Sequence, residues 1–211
     1  MGRALTVKEV LNKKRQTFPF EREWADAFAK PERTGVWFIW GRSCNGKTSF
    51  VMQLIAELCK YDRVAFDSME EGDSLSMRQK LVRAGLSKVG SRFHLLNAEP
   101  ISDLRERLAR RKCYNIIVID SFQYTQMSYR DYIQFKEQHK DKLLIFLSHA
   151  SGSSPRGSSA VGVMYDATLK IWVEGYKAFS KGRFIGPTGE FTIWDEGAAR
   201  YWGYTNQSME E

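Results

Sequence analysis

The sequence predicts an α/β fold in which a mainly parallel central sheet is flanked by helices and ends in antiparallel strands at its C-terminal edge. Apolar runs of strand length alternate with helical patterns along most of the chain, which is typical of parallel sheets. The first of these runs leads directly into a glycine-rich loop and an amphipathic helix, whereas the tail carries short β-like segments separated by glycines. The 211 residues suit one such domain with a sizeable core.

Five apolar runs predict the strands of the parallel part of the sheet. They lie at 37–40, 63–68, 93–96, 116–119 and 143–147. Helices are expected directly after the glycine-rich loop and at 73–85, 101–111 and 128–139. Antiparallel strands are expected at 167–173, 176–184 and 190–194. The remaining segment at 150–163 is rich in glycine and serine, so we expect a mobile loop that buries no core.

Two short helices are expected before the first strand. Residues 5–15 place four apolar side chains among basic ones, which indicates an amphipathic helix outside the core. This helix could dock on a neighbouring subunit or on its own domain. A second helix at 21–29 ends before a proline. We therefore divide the chain into an N-terminal helical arm at 1–30, a core at 31–202 and a frayed tail at 203–211.

The glycine-rich loop fits the phosphate-binding pattern G-x-x-x-x-G-K-[ST]. Gly41 and Gly46 allow backbone angles at which successive N–H groups turn inward and hold phosphates at the start of a helix. Lys47 is expected to contact the β- and γ-phosphates of ATP, and the Thr48 hydroxyl to bind the Mg²⁺ that bridges them. The predicted nucleotide-binding residues are Gly41, Arg42, Ser43, Cys44, Asn45, Gly46, Lys47, Thr48 and Ser49.

Two carboxylates complete a predicted site for hydrolysis of a nucleoside triphosphate. Asp120 follows the apolar run at 116–119, where it can hold the water shell of the magnesium ion or simply occupy a turn. Glu70 lies just beyond the strand at 63–68, where it can orient or deprotonate the attacking water. Glu71 competes for this role, and both acids could instead cap the following helix.

The charge and the cysteines of the chain bear on its partners and its compartment. A total of 32 Lys and Arg against 25 Asp and Glu gives a formal net charge of +7. This excess favours a polyanionic partner, most simply nucleic acid, although a basic surface without a partner is the plainer alternative. The three cysteines have neither disulfide nor zinc-site spacing, and no apolar run is long enough to span a bilayer. We therefore expect a cytoplasmic protein with no membrane partner.

Four further motifs follow the phosphate loop in order. They are S-M-E-E at 68–71, I-I-V-I-D-S-F-Q at 116–123, L-S-H at 147–149 and K-G-R-F-I-G-P-T-G at 181–189. This order resembles the RecA-like ATPase superfamily, nearest the motor domain of DnaB-family replicative helicases and the RadA branch. The resemblance covers most of residues 35–195 and implies a RecA-like fold that uses ATP and Mg²⁺.

The resemblance also implies roles for individual residues. A glutamate in a Ser-x-Glu pattern follows the second strand in these families, which favours Glu70 over Glu71. His149 takes the place of the polar residue that senses the γ-phosphate; the helicases usually carry glutamine there, and histidine is closer to the RadA pattern. Lys181 and Arg183 match residues that reach the nucleotide of a neighbouring subunit, which implies a ring or filament of identical chains. An ordinary basic hairpin with a Pro-Thr-Gly turn is the alternative.

Two segments match regions that contact DNA in RecA-like proteins. The region corresponding to 150–163 carries a loop that grips DNA, and here Arg156, serine hydroxyls and backbone N–H groups suit phosphates without base specificity. A plain linker is the alternative. Tyr124, Gln126 and Tyr129 follow the Asp120 strand where a second DNA loop would lie, although the two tyrosines could equally serve packing.

These observations lead to one main functional hypothesis and two rivals. The main hypothesis is a magnesium-dependent ATPase that acts as an oligomeric motor on DNA, with single-stranded DNA as the expected partner. Such a motor would be a helicase or an ATPase of replication or recombination. The first rival is an ATP-switched DNA-binding loader or accessory protein without unwinding activity. The second is a small-molecule phosphotransferase, which would need an arginine-rich lid that the sequence does not show.

Overall fold

A computed structural model of the chain describes residues 3–207. Within these residues nine strands form one sheet. The strands are β1 (Gly35–Gly41), β2 (Val64–Ser68), β3 (Phe93–Leu96), β4 (Ile116–Asp120), β5 (Leu143–Ser151), β6 (Ser154–Pro155), β7 (Leu169–Glu174), β8 (Lys177–Ser180) and β9 (Glu190–Thr192).

Eight α-helices accompany the sheet within the same residues. They are α1 (Val7–Asn12), α2 (Arg22–Phe28), α3 (Lys47–Leu58), α4 (Leu75–Arg83), α5 (Ile101–Ala109), α6 (Tyr129–Gln138), α7 (Ser158–Asp166) and α8 (Asp195–Gln207). Short 3₁₀ turns lie at Leu86–Lys88, Gly90–Arg92 and Phe122–Thr125. None of the helices in this part of the chain is both long and apolar enough to cross a membrane.

The strand order is β3-β2-β4-β5-β1-β7-β8-β9, with β6 paired to the end of β5. The six strands from β3 to β7 in this order run parallel, while β8 and β9 are antiparallel. This confirms the predicted α/β fold with a mainly parallel sheet and an antiparallel C-terminal edge. Since β4, β5 and β1 are neighbours, the loops that follow them meet at one edge of the sheet, where open α/β sheets bind ligands.

Both faces of the parallel strands are buried, as strands covered by helices require. Trp37 and Ile39 of β1 pack toward α2 and α3, whereas Val36, Phe38 and Trp40 pack toward the side covered by α5, α6 and α7. Burial on both faces explains why these strands appear in the sequence as continuous apolar runs rather than as alternating patterns.

The segment at 150–163 differs from the mobile loop that its composition predicts. Ala150 and Ser151 pair with Pro155 and Ser154 in a short antiparallel ladder, and α7 begins at Ser158. Ala160 and Val163 of this helix are buried. The prediction of a loop that buries no core was therefore wrong for the second half of the segment. An apolar pair three residues apart is enough to form a buried helical stripe, and the surrounding glycines and serines conceal it.

The N-terminal region has two different environments. Helix α1 carries a Thr6 and Glu9 capping box but has no buried residue. Helix α2 buries Trp24, Ala27 and Phe28, which join the core that covers one face of the sheet. Only the first part of the expected arm therefore stands clear of the core.

The C-terminal region continues beyond the antiparallel strands into a helix that the sequence analysis did not predict. Strand β8 ends at Ser180, so residues 181–189 form a loop before β9. Helix α8 then runs from Asp195 to Gln207. The expected frayed tail begins within this helix, and its last part at 208–211 lies outside the described residues.

Candidate nucleotide-binding site

The phosphate loop connects the end of β1 to the start of α3, as the motif predicts. Gly41 is the last residue of β1, and a Cβ there would collide with the carbonyl oxygen of Val173 on the neighbouring strand. Gly46 precedes α3 with a φ of 92°, a left-handed conformation that glycine adopts without strain. The loop therefore ends at the amino terminus of a twelve-residue helix, where free N–H groups and the helix dipole favour an anion.

A cavity of about 460 Å³ lies over this loop. It brings together most of the residues that the sequence singled out, from four different elements. The lining residues are Arg42, Ser43, Cys44, Gly46, Lys47, Thr48, Ser49, Glu70, Glu71, Lys80, Asp120, His149 and Tyr176. A cavity of this size is typical of small-molecule sites. Of the predicted loop residues, Gly41 and Asn45 support the cavity without lining it.

Asp120 lies buried at the carboxyl end of β4 and faces the phosphate loop. Burial raises the pKa of its carboxyl group to about 6, and the nearby charge of Lys47 opposes this rise while Glu70 and Glu71 add to it. A buried carboxylate that is costly to ionise gains from a nearby cation. The hydroxyls of Ser68 and Ser121, which are next to Asp120 along the sheet and the chain, are buried without a hydrogen-bond partner among the described residues.

The donors around Asp120 fit a magnesium ion. Thr48 and Asp120 line the same cavity and supply the oxygen ligands that this ion prefers. Within residues 3–207 no group of three or more His, Cys, Asp or Glu side chains is placed to hold a metal. This agrees with the usual way of holding Mg²⁺, in which one or two protein oxygens act together with substrate phosphates and water.

The structure separates Glu70 from Glu71. Glu70 is exposed in the cavity, with its Oε2 3.4 Å from Nε2 of His149. Glu71 forms an ion pair with Lys80 of α4 and accepts a hydrogen bond of 2.9 Å from the Ser76 hydroxyl. Burial by itself would raise the pKa of Glu71, but the hydrogen bonds from Lys80 and Ser76 outweigh it and lower that pKa. Glu71 is thereby held on α4, which leaves Glu70 as the acid without a fixed cationic partner.

His149 is near the end of β5, opposite Gly41 of β1. Burial lowers the pKa of its imidazole, the charge of Lys47 lowers it further, and Glu70 opposes both. The ring is therefore uncharged at neutral pH, and its contact with Glu70 is not an ion pair at that pH. A neutral imidazole can donate or accept one hydrogen bond at each nitrogen, so it can respond to a phosphate oxygen in the cavity.

Gln123 connects the end of β5 to the two segments predicted to contact DNA. Its Oε1 accepts a hydrogen bond of 3.3 Å from the backbone N–H of His149. Its Nε2 donates to the Ser148 hydroxyl and to the Arg156 carbonyl, each at 2.8 Å. Tyr124 follows it in an exposed turn. No local pattern assigns a role to Gln123, since its three contacts lie 25 to 33 residues away along the chain.

Lys181 and Arg183 lie outside this cavity. Both are exposed in the loop between β8 and β9, and the Lys181 ammonium group is 5.8 Å from the centre of the Trp172 ring. The loop itself is held by α2, because Gly186 donates to the Ala27 carbonyl at 3.1 Å. A Cβ at Gly186 would collide with carbonyl oxygens of that helix. Within one chain, therefore, these two cations are not part of the site.

A turn between β7 and β8 supports the phosphate loop from the side. The N–H of Gly175 donates to Oδ1 of Asn45 at 2.8 Å, and the N–H of Tyr176 donates to the Asn45 carbonyl at 3.2 Å. Helix α8 holds this turn through Trp202, whose indole N–H donates to the Gly175 carbonyl at 3.1 Å. The sequence analysis missed Tyr176 and Lys80 as lining residues. A glycine between two short β-like segments was the one local sign of the turn.

Comparison with known proteins agrees with this geometry at the level of fold. No protein-family model matches the chain, and no curated protein matches its sequence. Many solved structures match its fold. A solved ATPase domain of the DnaB type superposes with a TM-score of 0.52 at 17% identity, over 75% of this chain and 80% of that one.

Two archaeal proteins superpose over a larger share of the chain. A KaiC-like protein, PH0186 from Pyrococcus horikoshii OT3, has a TM-score of 0.60 at 14% identity, over 80% of this chain and 94% of its own. The flagellar accessory protein FlaH from Methanocaldococcus jannaschii has a TM-score of 0.58 at 14% identity, over 85% of this chain and 92% of its own. The chain has a RecA-like P-loop ATPase fold. The fold that the order of motifs predicted is thus confirmed, while identities this low bear on fold alone.

Proposed function

We propose that this chain is a cytoplasmic, magnesium-dependent ATPase that acts on single-stranded DNA as an oligomer. The observation that carries the proposal is the convergence of the phosphate loop, Asp120, Glu70 and His149 on one cavity at the carboxyl edge of a RecA-like sheet. Cavities at this position in α/β folds bind phosphorylated ligands. The three free cysteines fit a reducing compartment.

Each residue of the cavity has a defined part in hydrolysis under this proposal. Backbone N–H groups of the loop and the Lys47 ammonium group bind the β- and γ-phosphates. Thr48 and Asp120 would hold Mg²⁺, which when bound neutralises charge on the phosphates. Glu70 orients the attacking water and accepts its proton, and His149 hydrogen-bonds to the γ-phosphate and is displaced when that phosphate leaves.

The oligomeric part of the proposal rests on the position of Lys181 and Arg183. Both are exposed and lie outside the cavity of their own chain, so they are free to enter the cavity of a second copy. A guanidinium group supplied in this way stabilises charge that develops during phosphoryl transfer. A head-to-tail contact of this kind closes into a ring or extends as a filament.

The DNA part of the proposal rests on the segments joined by Gln123. Tyr124 and Tyr129 are about half exposed, and Arg156 is exposed in the chain segment that Gln123 contacts. Aromatic faces and an arginine suit the bases and phosphates of a single strand. Movement of the His149 backbone on loss of the γ-phosphate would be transmitted through Gln123 to these groups.

Three measurements on the purified chain test the proposal. We expect magnesium-dependent ATP hydrolysis that increases with single-stranded DNA, and a larger assembly by mass measurement when a non-hydrolysable ATP analogue and DNA are both present. The Lys47→Ala variant should lose nucleotide binding and serve as the negative control. Equal hydrolysis with and without DNA, together with a monomer under all conditions, would contradict the DNA and oligomer parts.

A second candidate function is an ATP-switched DNA-binding loader or accessory protein. The contact between Glu70 and His149 favours it, because a glutamate held at 3.4 Å from an imidazole must be released before it can activate water, which would slow turnover. The distinguishing measurement is unwinding of a forked duplex. Unwinding would exclude this role as the whole function, whereas ATP-gated binding without unwinding would support it.

A further inference from the structure

A band of positive charge lies along the edge of the sheet opposite the nucleotide cavity. The loops that enter the parallel strands meet at this amino edge, whereas the cavity lies at the carboxyl edge. We define the amino-edge strip as the loops that enter β1 to β5, at 31–34, 59–63, 90–92, 110–115 and 139–142. These loops contain nine Lys or Arg and three Asp or Glu. Their net charge is therefore +6, against +7 for the whole chain.

Hydrogen bonds join the five loops into one continuous surface. Arg92 at the start of β3 donates to the Lys60 carbonyl at 2.8 Å, and Arg63 at the start of β2 donates to the Cys113 carbonyl at 2.9 Å. Backbone bonds then lead from the β4 loop to β5 and from the β5 loop to β1. The loops thus follow the strand order β3-β2-β4-β5-β1. With strands about 4.8 Å apart, the strip is about 20 Å long.

Most of the positive charge on the strip is not neutralised within the chain. Arg63 and Arg92 are exposed and bind backbone carbonyls rather than carboxylates. Arg110, Arg111 and Lys112 are exposed, and no ion pair joins them to a carboxylate within residues 3–207. The three acids of the strip are already paired with Arg15, Arg33 and Lys142. The free cations therefore remain available to an external anion.

The chemistry of the strip indicates which polyanion it suits. A row of cations about 20 Å long matches a chain of phosphates better than a single anion. Aromatic groups lie within the row, since the Tyr114 ring is 5.2 Å from the His94 ring and 6.0 Å from the Arg63 guanidinium carbon. Such rings stack on unpaired bases. None of the large exposed hydrophobic side chains of residues 3–207 lies in these five loops, so an anchor for insertion into lipid is lacking there.

We propose that the amino-edge strip binds single-stranded nucleic acid, independently of nucleotide. This site is distinct from the DNA contacts proposed for Tyr124, Tyr129 and Arg156, which lie at the carboxyl edge beside the cavity. Binding at the strip requires neither ATP nor a second subunit. It therefore goes beyond the proposed ATPase function and does not depend on it.

Fluorescence anisotropy with a labelled single-stranded oligonucleotide and no ATP tests the site. The variant Arg110→Ala/Arg111→Ala/Lys112→Ala removes three charges from the strip. The matched control Lys8→Ala/Lys13→Ala/Lys14→Ala removes three exposed charges near α1, far from the strip in the chain. We expect the strip variant to bind about tenfold or more weakly, and the slope of log K against log salt to fall by about 2. The control should retain the slope of the parent protein.

The same experiment separates this site from the other possibilities. Equal losses in the two triple variants would mean that only net charge matters and would overturn the proposal, as would an unchanged slope in the strip variant. Sedimentation with phosphatidylserine vesicles but no binding to the oligonucleotide would assign the strip to a membrane surface instead and would also overturn it. In a Lys47→Ala background the difference between the triple variants should persist, so loss of the ATPase proposal would leave this one standing. Thermal melting and ATP hydrolysis of the strip variant should match those of the parent.

Discussion

Glu70 and Glu71 are adjacent in the chain, but the structure gives them different surroundings. Glu70 faces His149 in the cavity, whereas Glu71 is held by Lys80 and Ser76 on α4. We predict that Glu70→Gln lowers kcat by about 10²- to 10⁴-fold while nucleotide still binds, because a general base is lost without removing a phosphate contact. Steady-state hydrolysis and binding of a fluorescent nucleotide measure the two effects. Glu71→Gln is the matched control, and an equal loss of kcat in both variants would contradict the assignment.

Asp67 provides a prediction about stability and pH. It is fully buried, its Oδ1 accepts a hydrogen bond of 2.9 Å from the Glu99 N–H, and its Oδ2 has no partner among the described residues. Burial raises its pKa to about 6 from 3.8. Between about pH 4 and 6 the unfolded state loses this proton before the folded state does, so the free energy of unfolding falls as pH rises, by about 2 to 3 kcal/mol.

Replacing Asp67 with Asn removes this titration. We expect Asp67→Asn to be more stable than the parent at pH 7.5 but not at pH 4, with urea unfolding at both values as the measurement. The amide oxygen can still accept the hydrogen bond from Glu99. A stability difference that is the same at both pH values would show that Asp67 does not titrate with a raised pKa.

At the scale of elements, α8 and the turn that precedes β8 form a support for the phosphate loop. Trp202 holds the Gly175 carbonyl, and the same turn holds Asn45 through two hydrogen bonds. We predict that Trp202→Phe weakens nucleotide binding about three- to tenfold, since one hydrogen bond of about 1 kcal/mol is lost while the aromatic contact with Phe179 is kept. Titration with a fluorescent nucleotide measures this. Arg200→Ala, at an exposed position of the same helix, should have no effect, and equal affinities for all three proteins would refute the supporting role.

At the scale of the whole molecule, the separation of Arg183 from the cavity has a direct consequence for mixed assemblies. If a second copy supplies this arginine, Lys47→Ala and Arg183→Ala should each be inactive alone. Mixing them in equal amounts should restore about a quarter of the parent ATPase activity, because about one interface in four then combines an intact loop with an intact arginine. A mixture as inactive as its components would contradict a shared site. Each variant alone at twice the concentration is the control.

The positions of most elements could be predicted because their signals are local. The apolar runs at 93–96 and 116–119 became β3 and β4 almost unchanged, and the spacing of two glycines, a lysine and a threonine specified a strand, a loop and a helix in succession. Helix α7 was missed because two buried side chains among glycine and serine carry little periodic signal. Helix α8 was missed because a tail of mixed composition has no strong apolar stripe.

The sequence by itself determined the class of chemistry at the carboxyl edge, since the phosphate loop, Glu70, Asp120 and His149 each lie at a recognisable place in a local pattern. Only the tertiary structure decided which of two adjacent acids faces the cavity, that Lys80, Tyr176 and Gln123 take part, and that five separate loops form one positive strip. The physical reason is that these contacts join residues tens of positions apart. Their distances are set by strand order and packing, which spacing along the chain does not encode.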